Sequence, residues 1–521
     1  MRFLLLLTLL LCISVSALEM PKIFGSHMVL LQNEPIVLHG RSKPGKTVTV
    51  HFASGRWECQ ANQKGEWKIE LSPRKAGGPY ELYIKDDSSE LHFRDVMVGE
   101  VWLVSGQSNM SFPLYSKTNR FDRCDNGKVL AEKADLPNLR LCRNFQWKRC
   151  TPSEAMPFSA IGFLFGKELM KQQDVPVGII QAAFPATRIQ AWLPEEALRK
   201  ADVKADVQRL DKRDQIGKEK VKDLWMQARN RRHKYYLWKS KGGKGTPPPP
   251  FTKEDNAIYQ EYGQNFPSTQ YNSRILPWQN FPIRGILWYQ GESNTEKREG
   301  GAALYRKLFP LLVESWRKRW VRPEPVFLYA QLSAWEAHRR TNPLPDDFWK
   351  TQKKRKSEWA ELREAQESAL DRIPRSGMIV TLDIGDHSNI HPTNKITVAE
   401  RFLREAMRLC YGQNTPRHPR FRRAEPKGNT MRLFFSSTEG GLLPENTSID
   451  NFEVAGEDAV YHPAEARTDG TTVLVQSVQV PHPRFVRYAW SNYPGGVKLL
   501  NKAGLPCGSF RSQQPQDTPQ K

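Results

Sequence analysis

The chain is poor in cysteine, has no apolar run long enough to cross a bilayer, no internal repeat and no recognisable nucleic-acid module. Each absence narrows what it can be. Seven cysteines occur in 521 residues, and none shows a Cys-x-x-Cys spacing, which argues against a cysteine-based zinc site. The one strongly apolar stretch, Phe3 to Val15, is too short to span a membrane. With Met1-Arg2 before it and the small-residue pattern Val15-Ser16-Ala17 after it, residues 1–17 read as a secretory signal peptide. The expectation is an exported chain without a membrane span: periplasmic in a bacterium, lysosomal or extracellular in a eukaryote. Cys12 would leave with that peptide. The remaining Cys59, Cys124, Cys142, Cys150, Cys410 and Cys507 permit disulfides in an oxidising compartment, in any of fifteen complete pairings. In a eukaryotic host Asn446-Thr-Ser448 is an acceptable glycosylation sequon.

Positive charge, by contrast, is abundant. The formal net charge is +22, spread along the chain and densest between Lys218 and Lys244. Without a nucleic-acid module, attraction to anionic glycans or cell surfaces is the more natural consequence for an exported protein.

Length predicts two to four domains. From residue 18 to 96 short β-forming segments (Ile36–Gly40, Thr47–Phe52, Glu66–Leu71, Tyr80–Ile84) alternate with Gly/Pro turns, as in a small sandwich. From 97 to 412 strands and helices alternate, which implies an α/β domain with a mainly parallel sheet. Strands are predicted at Val101–Val104, Val177–Ala182, Pro282–Tyr289, Pro325–Ala330 and Ser376–Asp383, and helices at Phe158–Lys171 and Asn394–Cys410. Residues 201–252, charged and ending in Pro247–Pro250, read as a surface insertion with a stiff connector. Short strands return from 413 to 512 in a second β domain, and 513–521 read as a disordered tail.

The chemistry gathers in three stretches. Val101-Trp-Leu-Val104 runs into Ser105-Gly106 and then Gln107-Ser108-Asn109. A hydroxyl on a tight turn leaving a buried strand sits at a sheet edge, where α/β folds keep nucleophiles. The others are Trp288-Tyr-Gln-Gly-Glu-Ser-Asn294 and Asp386-His-Ser-Asn-Ile-His-Pro392. Together these closely resemble the sialate O-acetylesterase branch of the SGNH hydrolases. Secondary matches lie at His27–Gln32, Ala76–Tyr80, Val486–Trp490 and Gly504–Pro506, so the resemblance covers nearly the whole mature chain.

The resemblance implies a three-layer α/β/α catalytic domain flanked by β domains, a serine esterase and no cofactor. It makes Ser108 the nucleophile and His391 the base. Many relatives carry Asp three residues before the histidine, whereas this chain has Ser388; Asp386 then orients His391, or a Ser–His dyad operates, with Asp383 as the other nearby carboxylate. The oxyanion donors are the backbone N–H of Ser108, a second backbone N–H, and a side-chain amide from Gln290 or Asn294. The family's second donor comes from a Gly-Gly-Thr turn. Here that turn reads Pro185-Ala186-Thr187: proline has no N–H to give, whereas Ala186 can serve if its backbone angles permit, a glycine-only conformation being strained there. Gln107, Asn109 and Glu292 are candidates for positioning substrate. Asn109-Met-Ser111 also matches a sequon, but beside the nucleophile it is too enclosed to be modified. His387 and His391 invite a metal reading, yet histidines four apart share a face only on a helix, and Gly385, Asn389 and Pro392 argue against one. The aromatic residues near these motifs, Trp102, Trp192, Trp288 and Tyr289, read as core.

The expected function is hydrolysis of O-acetyl esters on a carbohydrate, sialic acids first, with acetylated polysaccharides such as xylan as the alternative substrate. An inactive glycan-binding protein on the same scaffold is the rival of a different class.

Overall fold

The computed structural model describes residues 18–119, 123–296, 300–320, 324–336, 357–445 and 447–512. The expected signal peptide, Asn446 of the sequon and the expected tail lie outside the described residues.

One strand organises the chain. β1 (Glu90–Gly106) has burial that changes along its length, with its last eleven residues uniformly buried. Its first part pairs antiparallel with Gly77–Lys85, and Val29–Leu31 lies parallel to Met97–Gly99. Its second part is the centre of the main sheet, so the strand runs unbroken through the expected boundary at 96/97. Six further strands complete that sheet: β2 (Leu136–Arg143), β3 (Gln146–Cys150), β4 (Val177–Ala183), β5 (Gly285–Tyr289), β6 (Val326–Ala330) and β7 (Ser376–Ile379). Their order is β7-β6-β5-β1-β4-β2-β3. Pairing is parallel throughout except for the β2–β3 hairpin. β4, β5 and β6 are apolar on nearly every residue because both faces of a parallel sheet are covered by helices.

After β1 the chain builds one side of the sheet, ending with β4, and then crosses to build β5, β6 and β7 on the other. The carboxyl end of β1 is therefore a topological switch point, where open α/β sheets leave a crevice. In register, Gly106 lies opposite both Ala183 and Tyr289, so the turns leaving β1, β4 and β5 emerge side by side.

The main helices are α1 (Ser108–Ser111), α2 (Ala160–Gln173), α3 (Lys204–Ile216), α4 (Lys218–Ser240), α5 (Lys253–Glu261), α6 (Gly301–Arg319), α7 (Glu358–Ala369) and α8 (Lys395–Cys410). α2 packs on α8, and α6 on α7. Trp102, Trp192 and Trp288 have no exposed surface and Tyr289 almost none. Trp102 meets Phe165 edge-on, and Trp288 does the same with Trp192 and Trp316. They are core, in agreement with the sequence.

The expected insertion forms α3 and α4 and is followed by α5. α4 buries only Val221 and Ala228, so its cations face solvent. The carboxyl-terminal strands form an antiparallel sheet tied to α7 by the fully buried Arg363, which donates to Ser491 O (2.6 Å) and Ser509 Oγ (2.9 Å). One turn later on α7, Gln366 donates to Gln290 O (3.1 Å) and accepts from Leu332 N (2.9 Å). α7 thus links the C-terminal strands to the turn after β5.

One expectation is corrected. All six cysteines of the described chain are free thiols. Cys124, Cys142, Cys150 and Cys507 are buried in the core, where they pack as small apolar side chains.

Candidate active site

The turn that carries Ser108 depends on one glycine. Gly106 has φ +130°, and a Cβ there would lie 2.1 Å from Tyr289 O. Only glycine lets the backbone leave β1 pressed against β5 in this conformation. The turn is fixed by Gln107 N donating to Tyr289 O (2.9 Å) and Phe184 N donating to Gly106 O (2.9 Å). Ser108 then opens α1, partly exposed, between the buried Gln107 and Asn109. By its place at the helix start its N–H has no partner within the helix.

Asn109 connects the motifs. Its Nδ2 donates to Glu292 Oε1 (2.6 Å) and to Ile390 O (3.1 Å), and its Oδ1 accepts from Lys395 Nζ (2.6 Å). The residue after Ser108 is thereby bonded to the residue before His391. The imidazole of His391 lies 6.1 Å, centroid to centroid, from Phe112.

The turn after β4 carries the sequence departure. Ala186 takes φ +52°, the left-handed conformation that glycine adopts freely and that costs alanine about 1–2 kcal/mol. Neighbours hold it there. Gln264 Nε2 (3.1 Å) and Asn265 Nδ2 (3.0 Å) donate to Ala186 O, and Arg188 N donates to Asn265 Oδ1 (2.7 Å). Thr187 is pinned by its Oγ1 donating to Phe184 O and accepting from Trp192 Nε1. Ala186→Gly should therefore raise stability by somewhat under ~1 kcal/mol, the relieved strain exceeding the added unfolded-state entropy. Urea or thermal unfolding checks this, and a destabilised variant would contradict it.

Gln290 and Asn294, the two expected amide donors, are both fully buried and spend their N–H groups inside the protein. Gln290 Nε2 faces Asn294 Oδ1 (2.8 Å), Thr187 O (3.0 Å) and Gln107 Oε1 (3.2 Å). Asn294 Nδ2 donates to Gln190 Oε1 (3.1 Å), and its Oδ1 also accepts from Ile189 N (2.9 Å). This network locks the turns after β1, β4 and β5 to one another.

The two aspartates separate clearly. Asp383 forms a bidentate pair with Arg401, both distances 2.7 Å. Asp386 turns its Oδ1 onto its own loop, accepting from Ser388 N (2.7 Å), Ser388 Oγ (2.9 Å) and Asn389 N (3.2 Å). It shapes the segment that delivers His391.

Sequence reasoning passes over Lys395. It stands at the first position of α8, where the helix dipole opposes a cation, and that is the one signal the sequence offers. Its ammonium is enclosed, 4.8 Å from the centroid of Phe112 and 5.8 Å from that of Tyr289. Burial lowers its pKa to about 7, against the opposing pull of Glu292. Burial likewise raises the Glu292 carboxyl, and the Tyr289 phenol is pushed up to about 12.

The chain as a whole is similar to known proteins. Residues 251–407 match the family model described as carbohydrate esterase, sialic acid-specific acetylesterase. The sialate O-acetylesterase of Mus musculus is 23% identical over 541 residues, covering 93% of this chain and 92% of that one. That of Homo sapiens is 25% identical over 516 residues, covering 89% and 86%. A solved structure of a carbohydrate acetylesterase from Xanthomonas citri superposes with a TM-score of 0.75 at 29% identity, covering 96% of this chain and all of that one. The chain is similar to the sialate O-acetylesterases over most of its length and matches their family model at residues 251–407, and it is a carboxylic ester hydrolase.

Proposed function

We propose that this esterase removes O-acetyl groups from sialic acids through an acetyl-enzyme on Ser108. The observation that carries the reading is the bonding of Asn109 to both Glu292 and Ile390, which draws the nucleophile turn and the His391 loop onto one frame. Ser108 Oγ attacks the acetyl carbonyl carbon while His391 takes its proton. His391 returns that proton to the departing sugar oxygen, and a water deprotonated by His391 then releases acetate. The N–H groups of Ser108 and Ala186 face the developing oxyanion. Gln290 and Asn294 serve that hole from behind, by holding the turns that present it. Gln107, whose Oε1 is held by Gln290 Nε2 (3.2 Å) and faces Ser293 N at 3.4 Å, has its own amide nitrogen left to offer a substrate oxygen. Glu292 acts through Asn109. No cofactor enters these steps.

The same reading gives the sheet and its helices the SGNH-like three-layer arrangement, with flanking β domains at 18–96 and 413–512, and an exported mature chain. The exposed cations of α4 suit an acidic glycan.

The role of Asp386 is indirect. Asparagine keeps the Oδ1 acceptor that Ser388 and Asn389 use, so Asp386→Asn should lower kcat by about tenfold or less, against ~10⁴ for a buried triad carboxylate. Asp383→Asn should instead cost about 3 kcal/mol of stability, because Arg401, nearly buried, loses its counter-charge. Steady-state kinetics and denaturant unfolding of the two variants separate these roles. A loss near ~10⁴ in Asp386→Asn would make its charge part of the mechanism.

Product analysis tests the substrate. Acetate release from O-acetylated sialosides should exceed release from acetyl-xylan, and the reverse order would assign the enzyme to polysaccharide. Failure on both, and on a chromogenic acetyl ester, would leave a glycan-binding protein.

A further inference from the structure

We infer that Lys395 is a positioning residue for the nucleophile, acting with Glu292 through the amide of Asn109. The inference rests on Ser108 as the nucleophile. Glu292 leaves β5, Asn109 is the next residue after Ser108, and Lys395 opens α8 four residues after His391, so three distant segments meet at one amide. Glu292 Oε1 takes one amide hydrogen of Asn109 (2.6 Å), Ile390 O takes the other (3.1 Å), and Lys395 Nζ caps the amide oxygen (2.6 Å). The side chain of Asn109 is thereby held at every polar atom.

A buried carboxylate and a buried ammonium, each costly alone, offset one another across a neutral amide. The carboxylate draws on the amide N–H while the ammonium draws on its C=O, so each strengthens the other's bond. Asn109 is adjacent to Ser108 and bonded to Ile390, so this grip sets the distance from hydroxyl to imidazole. Catalysis is sensitive to that placement, since an error of ~1 Å can cost about 10²-fold.

The groups facing Lys395 are Glu292 from the turn after β5, Cys124 and Asp125 from the segment between α1 and β2, and the rings of Phe112 and Tyr289. The three acidic groups favour the ammonium, but burial outweighs them, and its pKa falls to about 7. The ammonium is therefore lost as pH rises through neutrality, and the grip on Asn109 weakens on the alkaline side. Removing the Glu292 carboxylate takes away support for the ammonium, which moves that loss to lower pH.

The test is the pH profile of kcat for the full chain with a chromogenic acetyl ester, in the wild type and in Glu292→Gln, Lys395→Met and Lys395→Arg. The wild type should lose kcat as pH rises from about 7. Glu292→Gln should shift that limb to lower pH. Lys395→Met should lower kcat by about 10²-fold with KM little changed and no alkaline limb. Lys395→Arg should recover part of kcat and keep it at high pH, because guanidinium stays protonated. A wild-type kcat flat across the alkaline side of neutrality, or a limb unmoved by Glu292→Gln, would overturn the inference. If the variants do not fold, the wild-type profile decides alone. Unfolding gives an independent readout. With a folded pKa below the unfolded one, wild type should gain stability relative to Lys395→Met as pH rises from about 7 toward 10.5. Full turnover in Ser108→Ala would refute the nucleophile and leave this titration standing, so the two failures are distinguishable.

Discussion

Ser108→Ala should abolish acetyl-ester turnover, lowering kcat by at least ~10⁴ while leaving the fold intact. The fold does not depend on the hydroxyl. Gly106 sets the turn, Gln107 N and Phe184 N tie it to the neighbouring strands, and Asn109 anchors the start of α1. Alanine is also a good first-turn residue for α1. The residual catalysis comes from the two backbone donors and from orientation of the bound ester, ~10³ over water. Far-UV circular dichroism and thermal unfolding should match the wild type. Near-normal turnover in a folded Ser108→Ala would remove Ser108 from the chemistry.

His391→Ala should cost about as much, ~10³–10⁴ in kcat, because in the proposed mechanism the base that accepts the serine proton also returns it to the sugar oxygen. The two losses should not add. A residue pair that acts as a unit is disabled by the first removal, so the double variant should be no slower than either single one within about tenfold. The wild type should lose kcat/KM on the acid side as His391 takes up a proton, and this limb should vanish in His391→Ala. An additive double variant, or an acid limb that persists without His391, would show that another group takes the proton.

Much of this is legible in the sequence because the relevant signals are local. Thr47–Phe52 and Glu66–Leu71 alternate cleanly and are strands over those same residues. The apolar runs at Val177 and Val326 mark β4 and β6 nearly to the residue. The hairpin β2–β3 is not legible, since Leu136–Arg143 mixes proline, asparagine and arginine with its apolar residues and its pairing shifts register between Leu136 and Arg140. α6 is hidden too; it carries Pro310 in its interior, a residue that normally argues against a helix. Its apolar face, with Tyr305, Leu308, Phe309, Leu312 and Trp316 buried, outweighs that.

The site divides the same way. The motifs that hold Ser108, His391 and Glu292 are contiguous, so they stand out in the sequence, and the structure brings their segments together. The left-handed Ala186 can be anticipated only as a strain, because the residues that hold it, Gln264 and Asn265, come from the far side of α5. Lys395 and Asn109 meet across 286 positions of sequence, and no local pattern announces such a contact. The amides of Gln290 and Asn294 look free to donate for the same reason. Their acceptors at Thr187 and Gln190 are visible only once β4 and β5 flank β1.

The central claim is that Ser108 is the nucleophile, and covalent labelling tests it most directly. The folded wild-type enzyme is treated with a serine-directed fluorophosphonate, activity is followed in time, and the adduct is mapped by peptide mass spectrometry. The expected result is one label per chain, on Ser108, with activity falling in step with occupancy and no labelling of Ser108→Ala. A label on another residue that accompanies loss of activity, or full occupancy of Ser108 with activity retained, would contradict it.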